Sequence, residues 1–264
     1  MSRAPLSGTV DRLRDQRGYT LIELLVATLA GLVVSAAALA IVISSLTFSI
    51  NDGDRTDSDQ QASVAMEAIV EALNSSCVLG VDVSPIVGAT AGTGLTGSTS
   101  VQPSSGDTLT FYSSQTDAPS ITNPNEIEVY LSSVNGPLDM ATYQYSTGPT
   151  GYSSTPSSTL VLVPHAAPPG STGSTGSTTP IFTYFGYDPT TGTLSDQYSS
   201  SPTLGATNAA NTAEVGISFQ SQPSDGNNPQ GAAADLSNSV VLRLTAAADS
   251  PTTSTGVTGV SPCG

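Results

Sequence analysis

Residues 24–43 run for twenty positions without a charge, reading L-L-V-A-T-L-A-G-L-V-V-S-A-A-A-L-A-I-V-I. Coiled as a helix at about 1.5 Å per residue, such a run is about 30 Å long, the thickness of a bilayer's hydrocarbon core. It is apolar on every side, so a soluble fold would have to bury it all round, whereas a membrane solvates it directly. The flanks give the crossing a direction. Residues 1–18 hold Arg3, Arg12, Arg14 and Arg17 against Asp11 and Asp15, a net +2; the other 246 residues hold Arg55 and Arg243 against 19 acids, a net −17. A basic end stays in the cytoplasm, which predicts a single pass with the N-terminus inside and the bulk of the chain outside. The run exceeds the about 7–15 apolar residues of a cleaved secretory signal, while the alanines at 36–38 and 40 leave a signal-peptidase reading open.

The same charge balance excludes whole classes of function. With a net charge of −15 and no lysine, the chain has no basic surface with which to neutralise phosphates, so no direct nucleic-acid binding is expected. Charged residues are only 10% of the chain, but 38% are hydrophobic, enough to build a core rather than an acidic disordered tail.

Glu23 stands at the edge of the apolar run, four residues beyond Tyr19. An ionisable group there is costly without a partner and marks a functional position. It closes the sequence Arg17-Gly18-Tyr19-Thr20-Leu21-Ile22-Glu23, which runs straight into L-L-V-A. In this order of basic leader, Gly, aromatic, T-L-I-E and apolar helix, the chain resembles type IV prepilins and the pseudopilins of type II secretion; Tyr19 in place of the usual Phe is the one departure.

The resemblance implies a class III signal peptide. A prepilin peptidase would cut after Gly18 and methylate the new amino group of Tyr19, and the apolar segment would stay on the mature protein. Glu23 would become the fifth mature residue and pair with the N-terminal amine of a neighbouring subunit. A buried carboxylate and a buried ammonium are each expensive alone, so subunits are driven to bring them together, and one axial stagger satisfies the pair. The plainer alternative is that Glu23 snorkels to the head groups. The implied partners are the prepilin peptidase, other pilin or pseudopilin subunits, an inner-membrane assembly platform and the lipid bilayer, with no cofactor.

Past residue 50 the chain turns polar, then Ala62, Met66, Ile69 and Leu73 recur at spacings of 4, 3 and 4, with Glu67 and Glu71 on another face. This predicts one helix from near Tyr19 to about Asn74, weakened around Gly53, its second half amphipathic. Asp52, Asp54, Asp57 and Asp59 suggest calcium, but the glycine an EF-hand requires at its sixth position is missing, and a solvated face is the simpler account.

Beyond a Gly/Ser/Thr-rich loop at 80–107, seven segments read as strands: 108–113, 126–131, 140–145, 160–163, 181–187, 214–220 and 240–245. In 126–131, Ile127, Val129 and Leu131 face one way and Glu126, Glu128 and Tyr130 the other, a half-buried strand. Asn135-Gly136 is a hairpin turn. Residues 164–179, with P-P-G-S-T-G-S-T-G-S-T-T, read as a low-complexity loop, and 188–212 and 221–237 as polar loops. The predicted fold is α+β: a long N-terminal helix, membrane-embedded in its first half, packed through its second half on a largely antiparallel, pilin-like sheet. The expected domains are a removed leader at 1–18, a transmembrane assembly helix at 19–50, an amphipathic continuation at 51–76 and an extracytoplasmic β-rich domain at 77–264.

P-I-F-T-Y-F-G-Y-D at 180–188 followed by G-T-L at 192–194, with V-G-I-S-F at 215–219 and V-V-L-R-L at 240–244, resembles minor pseudopilins of the J and W kind. Retention of Glu23 sets the chain apart from the tip subunit of that system.

Cys77 and Cys263 are the only cysteines. In an extracytoplasmic domain they most simply form one disulfide, with free thiols or intermolecular pairing as alternatives. No C-x-x-C supports zinc or redox chemistry. His165, beside Pro164, reads as a loop histidine, and Glu126 with Glu128 as a solvated edge rather than an acid–base pair. The sequence therefore predicts a structural, non-enzymatic subunit of a type IV pilus or type II secretion pseudopilus, resident first in the cytoplasmic membrane and then in the fibre. Its runner-up is a pilus-borne adhesin using the aromatic cluster Tyr184, Phe185 and Tyr187. A membrane-anchored enzyme lacks any catalytic constellation.

Overall fold

Helix α1, Leu21–Asn74, contains no proline and runs its 54 residues without interruption. Gly53 stays inside it, contrary to the expected weak point. A glycine in a helix interior costs only about 1 kcal/mol relative to alanine, and a side chain there would meet nothing within 4 Å. The four aspartates at 52, 54, 57 and 59 ride on helical turns rather than on a loop, and Gln61 Nε2 donates to Asp57 Oδ2 at 2.8 Å one turn on. The computed structural model describes residues 20–77, 84–88, 103–114, 124–145, 152–153, 155–171, 179–187, 191–196, 203–223 and 233–242. The chain divides into two compact units, Met1–Ile50 and Asn51–Gly264.

In the first unit every described residue is exposed, including Leu24, Leu29, Val33, Ile41 and Phe48. This part of α1 is long and apolar enough to cross a membrane. In the second unit α1 has a single buried stripe, Ser58, Ala62, Ala65, Met66, Ile69, Ala72 and Leu73, while Glu67 and Glu71 are exposed. The stripe repeats every three to four residues, the period of one helical face.

The strands are β1 (Thr108–Ser113), β2 (Asn125–Leu131), β3 (Gly136–Tyr143), β4 (Ser158–Ala167), β5 (Phe182–Tyr187), β6 (Leu194–Asp196), β7 (Thr212–Ser221) and β8 (Ala234–Val241), with a short helix α2 (Ala206–Ala210) before β7. All pair antiparallel, in the order β1-β2-β3-β4-β7-β5-β6. β8 lies along β7 from Glu214↔Val241 to Ser221↔Ala234. The other edge of β7 is shared, by β5 over Thr212 to Ile217 and by the end of β4 at Gln220 and Ser221. The β2–β3 hairpin turns where expected, with Asn135 at φ 62°.

Leu109, Phe111, Ile127, Val129, Leu138, Val163, Phe182, Val215, Ile217 and Phe219 join the helical stripe in one core. A long N-terminal helix packed on an antiparallel sheet is the predicted α+β arrangement. The structure departs from the expectation in details that share a cause, because backbone pairing decides where hydrophobic pattern is silent. β4 continues through Pro164 and His165 to Ala167 although a loop was expected from 164. Register shifts between Gly136/Leu138 and Leu138/Asp139 open bulges opposite this stretch, and a bulge tolerates a proline that donates no ladder hydrogen bond. β8 begins at Ala234, inside the expected 221–237 loop, because β7 pairs its polar residues along their whole length. β6 and α2 likewise fall within the expected 188–212 loop. The Gly/Ser/Thr repeat at 172–178 lies outside the described residues.

Candidate functional site

The N-terminal end of α1 is built by Thr20. Its carbonyl accepts the backbone N–H of Glu23 at 3.0 Å and of Leu24 at 3.2 Å, and its Oγ1 lies 3.4 Å from the Glu23 nitrogen. Thr20-Leu21-Ile22-Glu23 thus has the T-x-x-E spacing of a capping box. The sequence reading missed the cap that Thr20 provides, although the T-x-x-E spacing alone signals it. A carboxylate in the first turn also complements the positive end of the helix dipole. Glu23 is exposed, and Arg55, far along α1, is the only lysine or arginine among the described residues. Gly18 and Tyr19, the expected cleavage and methylation positions, lie outside the described residues.

Behind Glu23 the helix presents aliphatic side chains interrupted by Ala27, Ala30, Gly31, Ser35 and the alanines at 36–38 and 40. Nothing occupies the space a side chain on Gly31 would fill. In a membrane, such small positions let helix backbones approach closely and gain van der Waals contact.

At its other end α1 is tied to the sheet. Cys77, 6% exposed, donates its N–H to the Tyr112 carbonyl at 3.0 Å, Ser76 bridges to Ser113, and the hydroxyls of Ser75 and Ser113 lie 2.8 Å apart. Cys263 lies outside the described residues.

The expected solvated edge at Glu126 and Glu128 is not found. Both carboxylates are buried, because the sheet face opposite α1 carries its own cover of Tyr112, Tyr143, Tyr152 and Ala141, with Val87, Tyr130 and Tyr145 packed against it. The alternation read along this strand is correct; the assumption that its polar side meets water is not. Tyr143 Oη donates to Glu128 Oε2 at 2.8 Å and Tyr152 Oη to the Pro124 carbonyl at 3.1 Å. Burial above all, with the Glu128 charge second, pushes the Glu126 carboxyl up to about 8. Burial and the bond to Glu128 push the Tyr143 phenol up, and burial does the same for Tyr152.

His165 is likewise not a loop residue. It sits half-buried on β4 with Nδ1 3.3 Å from the Asn135 carbonyl; a carbonyl only accepts, so Nδ1 carries the proton. Of the aromatic cluster, Tyr184 is fully buried and Tyr187 exposed, the alternation of a single strand. Among the described residues no group of three or more His, Cys, Asp or Glu could hold a metal ion.

Residues 13–39 match the family model for the prokaryotic N-terminal methylation motif. No curated protein and no solved structure matches the chain.

Proposed function

We propose, from the match of residues 13–39 to the prokaryotic N-terminal methylation motif, that the chain is a structural, non-enzymatic minor subunit of a type IV pilus or type II secretion pseudopilus. The observation that carries the reading is the continuity of the matched residues 13–39 with the exposed apolar half of α1. A leader at 1–18 is cut after Gly18, the amine of Tyr19 is methylated, and residues 19–50 remain as the membrane and assembly helix. The basic leader holds the N-terminus in the cytoplasm and the β-rich domain outside. During assembly Glu23 pairs with the N-terminal amine of a neighbouring subunit at the platform in the inner membrane. The small residues behind it support close helix packing in the fibre. The β5 and β6 strands, with Gly192 in a left-handed turn between them at φ 65°, are consistent with a subunit of the J or W kind.

We further propose that Cys77 and Cys263 form a disulfide. Supporting it are the burial of Cys77 at the corner where α1 meets β1, and the lack of a free cysteine among the described residues.

The direct test of the whole reading is processing. Co-expressed with a prepilin peptidase, the wild-type chain is shortened by its leader, and Gly18→Ala is not. Normal processing of Gly18→Ala would overturn the assignment.

A further inference from the structure

The sheet face opposite α1 holds two acids that the assembly role does not use. Glu126 and Glu128 stand two apart on β2 and therefore project to the same side, where they are 1% and 5% exposed. Across the ladder Glu126 is flanked by Tyr112 on β1 and Tyr143 on β3, and Glu128 by Thr110 and Ala141. Over this row lie Tyr152, stacked on Tyr112 with ring centroids 5.9 Å apart, and Tyr145, edge-on to Tyr152 at 5.5 Å. Tyr130 and Asp139 face each other in the next row. None of these groups is a cation.

The hydrogen bonds distinguish the two acids. Glu128 Oε2 accepts the Tyr143 hydroxyl at 2.8 Å, an interaction that strengthens when the carboxylate is ionised. Glu126 Oε2 is buried and accepts no hydrogen bond. Two anionic carboxylates are costly together in a buried site that has no cation among the described residues around it, whereas one proton makes the less well-solvated member neutral.

We propose that Glu126 and Glu128 form a one-proton carboxylate pair, Glu126 neutral and Glu128 anionic, whose titration makes the stability of the domain fall as pH rises. The direction follows from linkage. Burial first, then Glu128, carry the Glu126 carboxyl from 4.5 to about 8. Between those values the folded domain holds a proton that the unfolded chain has released. Stability contributed by the neutral carboxyl is therefore full below 4.5, falls as pH rises, and is lost above 8. Within the window the unfolding constant rises by up to about tenfold per pH unit on this account.

The test uses the full chain in detergent micelles, unfolded by urea at a series of pH values from about 5 to 9. The wild type should show a slope approaching one proton that flattens above pH 8, and Glu126→Gln should remove that slope and exceed the wild type at pH 9. An unchanged slope in Glu126→Gln overturns the pair. A second measurement needs no variant: carbon-13 titration of the wild-type carboxyls should find one glutamate with a midpoint near 8. Midpoints below about 6 for every glutamate would equally overturn it. None of these readouts depends on processing or assembly, so their failure is distinct from failure of the pilin reading.

Discussion

Tyr184 on β5 donates its hydroxyl to the carbonyl of Thr108 on β1, 2.8 Å away, although these strands stand near opposite ends of the sheet order. The Ser105 carbonyl lies 2.9 Å from the same hydroxyl, and Phe182 N–H reaches the Gly106 carbonyl at 2.8 Å. The sheet is curled until β5 meets residues 105–108 at the start of β1, and the fully buried Tyr184 ring closes the seam. Tyr184→Phe keeps the ring and removes the donor. It should destabilise the domain by about 1–2 kcal/mol in urea unfolding. The position of Tyr184 also removes it from any adhesive aromatic patch, since its ring has no exposed face.

Helix α1 offers an internal contrast on one element. Ile69 is fully buried in the sheet-facing stripe, and Val64, five residues earlier, is 67% exposed. Ile69→Ala should cost about 2–5 kcal/mol through lost burial and the cavity left behind. Val64→Ala should stay within about 0.5 kcal/mol. Urea midpoints of the two variants in micelles, compared with the wild type, check the difference.

That contrast marks what the residues disclose by themselves. Periods of 3.6 and 2 report which side of an element is apolar, so the stripe from Ala62 to Leu73 and the alternation of Ile127 and Val129 were both legible. Period says nothing about what lies across the polar side, and Glu126 and Glu128 were misjudged because their cover comes from residues distant in sequence, Tyr112, Tyr143 and Tyr152. Proline and polar runs misled in the same way. Pro164 sits in a bulged strand, and the polar residues of β8 are held by pairing to β7, which leaves no trace in hydrophobicity. The T-x-x-E spacing at Thr20 signals the helix cap from sequence alone.

The proposed Cys77–Cys263 bond would close a loop of roughly 190 residues, for which loop-closure entropy gives an upper value near 5 kcal/mol and typical measurements about 2–4. Reduction should therefore lower the unfolding midpoint, and Cys77→Ala should match the reduced wild type and no longer respond to reductant. The oxidised chain should also migrate faster than the reduced chain on a denaturing gel. Identical mobility and stability with and without reductant would dispose of the bond.

The helix cap at Thr20 and the charge of Glu23 can be tested separately by the choice of replacement. A capping box accepts Gln as well as Glu at the third helical position, because either side chain can reach back to the backbone of the cap. A charge pair with a subunit's terminal amine accepts only the carboxylate, since an amide leaves the ammonium uncompensated in an apolar setting. Glu23→Gln should therefore enter the membrane at the wild-type level and keep the amide protection of the first turn of α1. Its recovery in sheared fibres should still drop at least tenfold. Thr20→Val should do the reverse, with the Glu23 amide exchanging several-fold faster and incorporation largely preserved, because an exposed cap is worth about 1 kcal/mol. Fractionation of cells carrying the cognate assembly machinery, followed by immunoblotting of membranes and fibres, reads both. Wild-type incorporation of Glu23→Gln would remove the charge pair from the mechanism.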